Sequence, residues 1–113
     1  MSTQDKWPRF GFIGTGNMGG ALARALRRRV PGENILLSNR TYEKAAVLAA
    51  ELGCAAERDN QAVAAKAEYI FLGVKPQGMA GMLGDIAPAL RARRDRFILV
   101  NIAAGLNIED LRR

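Results

Sequence analysis

Three glycines at fixed spacing, in Gly14-Thr15-Gly16-Asn17-Met18-Gly19, lie between an apolar run and a stretch of helical periodicity. That placement restricts the fold more than any other feature of the chain. In a sequence with 12 glycines a bare G-x-G-x-x-G string carries little weight until its surroundings are read. Here Arg9 to Ile13 reads as a strand running straight into the string. After it Met18, Ala21, Leu22, Ala25 and Leu26 fall on one helical stripe, with Arg24, Arg27 and Arg28 opposite, until Pro31-Gly32 breaks the helix. Strand, glycine turn and helix form the opening of a βαβ unit. Gly14 permits the tight turn, Gly16 lets backbone approach a pyrophosphate, and Gly19 lets the helix pack closely on the strand. Free N–H groups at the helix start then face the phosphates of a dinucleotide.

The rest of the chain repeats the alternation. Ile35 to Ser38 reads as a second strand, followed by a helix with Thr41 as N-cap, Ala45, Leu48, Ala49 and Leu52 on its stripe and Gly53 as its stop. Cys54 to Ala56 reads as a brief third strand, and Asn60 as the cap of a small helix running through Val63 to about Ala67. Tyr69 to Val74 is a continuous apolar strand ended by Lys75-Pro76, as expected when helices cover both faces. Met79, Met82, Leu83, Ile86 and Leu90 keep a stripe in the next helix, which Gly81, Gly84 and Pro88 weaken or kink. Phe97 to Ile102 reads as another buried strand. Ala103-Ala104-Gly105 then turns the chain into a helix capped by Asn107, within whose first turn the sequence stops, so the C-terminus reads as a cut. The expected fold is α/β: a Rossmann-type doubly wound parallel sheet of about five strands in three layers, with residues 1–113 forming one domain.

Composition limits the functional classes. The longest apolar runs fall far short of the ~20 residues that cross a bilayer, and Met1 to Pro8 lacks the apolar core of a secretory signal, so a cytoplasmic protein is expected. One cysteine, Cys54, excludes an intrachain disulfide and reads as a small buried packer, and the absence of histidine removes the usual zinc ligand and the commonest general base. No metal site and no catalytic side chain are expected. Seventeen Lys+Arg against eleven Asp+Glu give a net charge of +6. Much of that excess lies at Arg27 to Arg29 and at Arg91, Arg93, Arg94 and Arg96, where solvated cations complement helix C-termini. Aromatic residues are not interleaved with these clusters, which argues against nucleic acid as a partner.

The end of the second strand selects the nucleotide. NAD sites place Asp or Glu there to bind the ribose 2′-hydroxyl, whereas this chain reads Ser38-Asn39-Arg40-Thr41. No carboxylate repels a 2′-phosphate, Arg40 can pair with it and stack on adenine, and the Ser38 and Thr41 hydroxyls can donate. NADP(H) is therefore expected, with NAD(H) as the alternative.

Four segments in order, F-G-F-I-G-T-G-N-M-G, S-N-R-T, V-K-P-Q and I-A-A-G-L-N-I, make the chain resemble pyrroline-5-carboxylate reductase from about Arg9 to Leu111. The resemblance implies that Ile13, Gly14, Thr15, Gly16, Asn17 and Met18 line the pyrophosphate and that Ser38, Asn39 and Arg40 line the adenosine phosphate. It implies Asn60, Gly73, Val74, Lys75 and Pro76 on the ribose and nicotinamide side, and Ile102, Ala103 and Ala104 beside the nicotinamide. The implied reaction is hydride transfer from NADPH to the C=N carbon of 1-pyrroline-5-carboxylate, giving L-proline. The family adds a helical C-terminal domain that builds a homo-oligomer and holds the substrate carboxylate. That domain is not in these 113 residues, so an oligomer is expected only with it, and activity of this stretch alone is in doubt. Gly19 stands where alanine is common in the family, and Asn101 where serine is. Two other readings stay open: a β-hydroxyacid dehydrogenase-type NAD(P) domain, whose opening segments are similar, and a non-catalytic NADPH-binding module. Met79, Met82 and Leu106 are candidates for apolar surface that meets a second domain.

Overall fold

The computed structural model describes residues 7–102. Five strands, β1 (Phe10–Ile13), β2 (Ile35–Ser38), β3 (Ala55–Ala56), β4 (Tyr69–Leu72) and β5 (Ile98–Asn101), form one parallel sheet in the order β3-β2-β1-β4-β5. Four helices connect them: α1 (Asn17–Arg27), α2 (Tyr42–Leu52), α3 (Asn60–Lys66) and α4 (Pro76–Arg91). The chain starts in the middle of the sheet, winds outward to β3, then crosses to β4 and β5. Right-handed crossovers in these two directions must place the first two helices on one face and the last two on the other. The packing follows: Phe12, Leu37, Ala23, Ala45 and Leu48 form one core, and Ile13, Ile70, Val63, Met82 and Ile86 the other. On the α1 and α2 side the rings of Phe10, Phe12, Tyr69 and Phe71 stack across β1 and β4, with centroids 4.8 to 6.4 Å apart. The doubly wound three-layer expectation holds.

Several local expectations do not. The first helix buries Gly19, Gly20 and Ala23 and leaves Met18 (48%) and Leu22 (36%) exposed. A Cβ on Gly19 would overlap the Gly14 carbonyl, so this helix sits too close to the sheet for large side chains, and the apolar stripe is displaced to its flank. Both long strands read from the sequence shorten at their ends, β4 at Leu72 and β5 to Ile98–Asn101. The last strand is not buried: among the described residues it pairs only with β4, and Ile98 and Leu99 are exposed. Helix α4 is continuous through Pro88, where the one missing N–H falls near the C-terminal end. Met82 is buried and Met79 half-buried, so they are core rather than spare surface, and Leu106 lies outside the described residues. Gly53 ends α2 in the left-handed conformation, as read, but Thr41 caps its start without a side-chain hydrogen bond. Cys54 is half-buried, and burial pushes its thiol up to about 11, which keeps it protonated and unreactive.

The Arg91 to Arg96 cluster is not uniformly solvated either. The side chain of Arg93 is only 5% exposed. Its guanidinium donates to the carbonyls of Ala64 and Ala67 at the end of α3, to both oxygens of Asp95 and to the Arg96 carbonyl, and it lies over the Phe97 ring. One side chain thus satisfies two helix-terminal carbonyls and ties α3 to the turn after α4. Arg93→Met would strand those carbonyls, and we expect a loss of about 2–3 kcal/mol, read as a lowered urea midpoint at unchanged slope. An unchanged midpoint would show that water replaces the guanidinium freely.

Candidate functional site

The carboxyl ends of β1, β2 and β4 open into one cavity of about 780 Å³. Its floor begins at the glycine turn. Gly14 adopts φ +93° and donates its N–H to the Ser38 carbonyl at 2.9 Å, while Gly73 donates to the Ile13 carbonyl at 2.8 Å. A Cβ on Gly14 would lie 2.8 Å from the Gly73 backbone, and one on Gly73 would lie 2.8 Å from the Gly14 carbonyl oxygen. The loops after β1 and β4 therefore touch backbone to backbone, which only glycines at both places allow.

Beyond that crossing the turn is open. A Cβ on Gly16 would meet nothing within 4 Å, so an incoming group can approach this backbone. Helix α1 starts there with no side-chain cap and no acid in its first turn, leaving its N–H groups and the positive end of its dipole to an anion. The Thr15 hydroxyl is buried without a hydrogen-bond partner. An open glycine backbone and an uncapped helix start fit a dinucleotide pyrophosphate.

One wall is the β2–α2 loop, with Asn39, Arg40, Thr41 and Lys44 along it. Asn39 accepts from the Thr15 N–H at 3.0 Å and donates to the Thr41 carbonyl at 3.0 Å, so it braces this wall against the glycine turn. Arg40, in the loop before α2, and Lys44, in its first turn, put two exposed cations on the cavity rim. Ser38 differs from its sequence reading. It is fully buried and donates to Asn60 Oδ1 at 2.8 Å, so its hydroxyl has no access to a phosphate. Asn60 is likewise not the cap of α3; Asp59 is, accepting from the Ala62 N–H at 2.8 Å. Freed from capping, Asn60 lines the cavity with its Oδ1 held by Ser38 and its amide N–H groups left for a ligand. Ser38→Ala should release that orientation and weaken dinucleotide binding about fivefold, the value of one neutral hydrogen bond. Titration checks this, and unchanged affinity would remove Ser38 from the site.

The opposite wall is α4. Pro76 occupies its first turn and Lys75 its N-cap, so Lys75-Pro76 starts a helix as much as it ends a strand. Of the residues expected at the site, Ile13, Gly14, Gly16, Asn39, Arg40, Asn60, Gly73, Val74 and Lys75 line the cavity. Thr15, Asn17, Met18, Ser38, Pro76 and Ile102 do not line it, and Ala103 and Ala104 fall outside the described residues. Lys44, Gln77, Gly78, Gly81, Met82 and Asp85 line it without having been expected. Lys44 was legible as the cation four residues after Arg40. The others share one helical face counted from Gln77, a face hidden by reading Gly81 only as a helix breaker. No cluster of metal-ligating side chains exists among the described residues.

Residues 9–105 match the protein family described as NADP oxidoreductase, coenzyme F420-dependent. The chain belongs to this family. Within it, the expected resemblance is borne out: over 100 residues the chain is 37% identical to the pyrroline-5-carboxylate reductase of Pseudomonas aeruginosa, covering 88% of this chain and 36% of that protein. Two solved structures share the NADP oxidoreductase family's fold seen here. The pyrroline-5-carboxylate reductase of Coxiella burnetii superposes with a TM-score of 0.78 at 22% identity, over 92% of this chain and 38% of that one. The pyrroline carboxylate reductase of Plasmodium falciparum, with NADP bound, superposes with a TM-score of 0.67 at 27% identity, over 92% and 36%. The chain thus spans about a third of the length of the curated relatives it matches.

Proposed function

We propose that this chain is the NADP(H)-binding domain of a pyrroline-5-carboxylate reductase. The observation that carries the reading is the cavity rim at the end of β2, where the lining residues Asn39, Arg40, Thr41 and Lys44 bring two cations and no carboxylate, joined to an uncapped glycine turn. Relatives named for this activity support it. In this reading the glycine turn and the start of α1 hold the pyrophosphate, Arg40 and Lys44 hold the 2′-phosphate, and Asn60 donates to the adenosine ribose. Gly73, Val74 and Lys75 lie along the nicotinamide side. Bound NADPH would supply hydride to the C=N carbon of 1-pyrroline-5-carboxylate, whose imine nitrogen, already protonated, becomes the amine of L-proline. The protein orients that ring and excludes water, which needs no nucleophile or histidine, and the chain has no histidine. The substrate carboxylate is held outside the described residues, in a helical part of the protein that also pairs subunits. None of the described helices is long and apolar enough to cross a membrane, and we take the enzyme to work in the cytoplasm without nucleic-acid partners.

The test is to supply the protein with NADPH and 1-pyrroline-5-carboxylate, and separately with NADP⁺ and a β-hydroxyacid, following nicotinamide absorbance and proline. Proline formation supports the reading. Oxidation of the β-hydroxyacid without imine reduction would give the site to the rival dehydrogenase chemistry.

A further inference from the structure

We infer that the α4 side of the cavity selects an adenine base, with Asp85 accepting a hydrogen bond from its exocyclic amino group. The inference rests on the dinucleotide reading above and adds to it a base-reading residue. It begins from a mismatch in helix length. At one end Arg93 reaches the last carbonyls of α3, and at the other Gln61, in the first turn of α3, donates to the Asp85 carbonyl at 3.1 Å and to its Oδ1 at 3.2 Å. The shorter helix α3 therefore flanks α4 only from Asp85 onward. Pro76 to Gly84 extend past its first turn, roughly 13 Å of helix at 1.5 Å per residue, and this part, with Met79 and Met82 reaching into the core, forms the cavity wall.

The wall has the shape of a base site. Its inward residues Gln77, Gly78, Gly81, Met82 and Asp85 follow helical spacing along one face. A Cβ on Gly81 would meet nothing within 4 Å, so no packing explains a glycine that weakens the helix interior. The recess it leaves, beside Met82, suits the flat face of an aromatic ring.

Position and charge then name the ring. Ser38, at the end of β2, holds Asn60; the next residue, Gln61, holds Asp85. That chain of contacts ties Asp85 to the β2 end of the cavity, where Arg40 and Lys44 would bind the adenosine phosphate. Asp85 is the one carboxylate among the lining residues. A carboxylate repels phosphate and accepts only from a donor, and Gln61 occupies one oxygen while leaving the other to the cavity. Adenine presents an amino group to such an acceptor. Hypoxanthine presents a carbonyl at the same position, which cannot donate, so that hydrogen bond is lost.

Calorimetric titration of the chain with NADPH and with its hypoxanthine analogue tests this. The analogue should bind at least about tenfold more weakly, as for one charged hydrogen bond lost. In Asp85→Ala, shown folded by circular dichroism, the two ligands should bind within about twofold of each other, and in Asp85→Asn, where Gln61 holds the amide oxygen and the NH2 donor is left for the base, the preference for NADPH should vanish or reverse. Equal affinities in the unaltered chain, or a difference that survives both substitutions, would overturn the inference while leaving the dinucleotide site intact. Failure of both ligands to bind would overturn the site and the inference together.

Discussion

Replacing Arg40 and Lys44 together by alanine should weaken NADPH binding by about 2–4 kcal/mol, roughly 30- to 1000-fold, and leave NADH within about twofold. Each cation would form a charge-assisted contact with the 2′-phosphate, and NADH lacks that group. The singles should differ in kind. Arg40→Ala removes a bidentate partner of the phosphate, so it should account for more than half of the loss, whereas Lys44→Ala removes a point charge whose contribution falls as salt is raised. Both side chains lie on an exposed rim, and neither variant should shift the melting temperature. Equal weakening of NADPH and NADH would place these cations away from the 2′-phosphate.

The second large effect is on the fold. Gly14→Ala should destabilise the chain by about 2–4 kcal/mol, because it adds left-handed strain and drives a Cβ into the Gly73 backbone. At about 4 °C per kcal/mol the melting temperature would fall by roughly 8–16 °C. Gly53→Ala is the internal control. Gly53 also has a positive φ, +69°, but a Cβ there meets nothing within 4 Å. Its loss should stay near 1 kcal/mol, the strain alone. If the two variants melted together, the close approach of the β1 and β4 loops would carry no energy of its own.

These two glycines also show what the sequence could and could not disclose. The alternation of apolar runs and helical stripes predicts the parallel sheet and its winding, and the placed glycine turn predicts where a ligand sits. Local signals fail where tertiary distance decides. The apolar stripe on the first helix pointed to Met18 and Leu22, yet the glycine turn brings that helix so near the sheet that Gly19, Gly20 and Ala23 face it. Ser38 and Asn60 were each read alone, as a phosphate donor and a helix cap. Their roles came from meeting each other across 22 positions, which no local pattern encodes. Arg93 looked like one solvated charge among four, and only the end of α3 beneath it makes it a buried tie. On α4, Gly81 and Asp85 became legible once the first turns of α4 extended past the shorter α3 beside the cavity.

The measurement that bears most directly on the central claim is calorimetric titration of the unaltered chain with NADPH and with NADH. We expect one saturable site that prefers NADPH by at least about tenfold, the margin of a single charged contact. No binding of either nucleotide, or equal binding of both, would contradict the account.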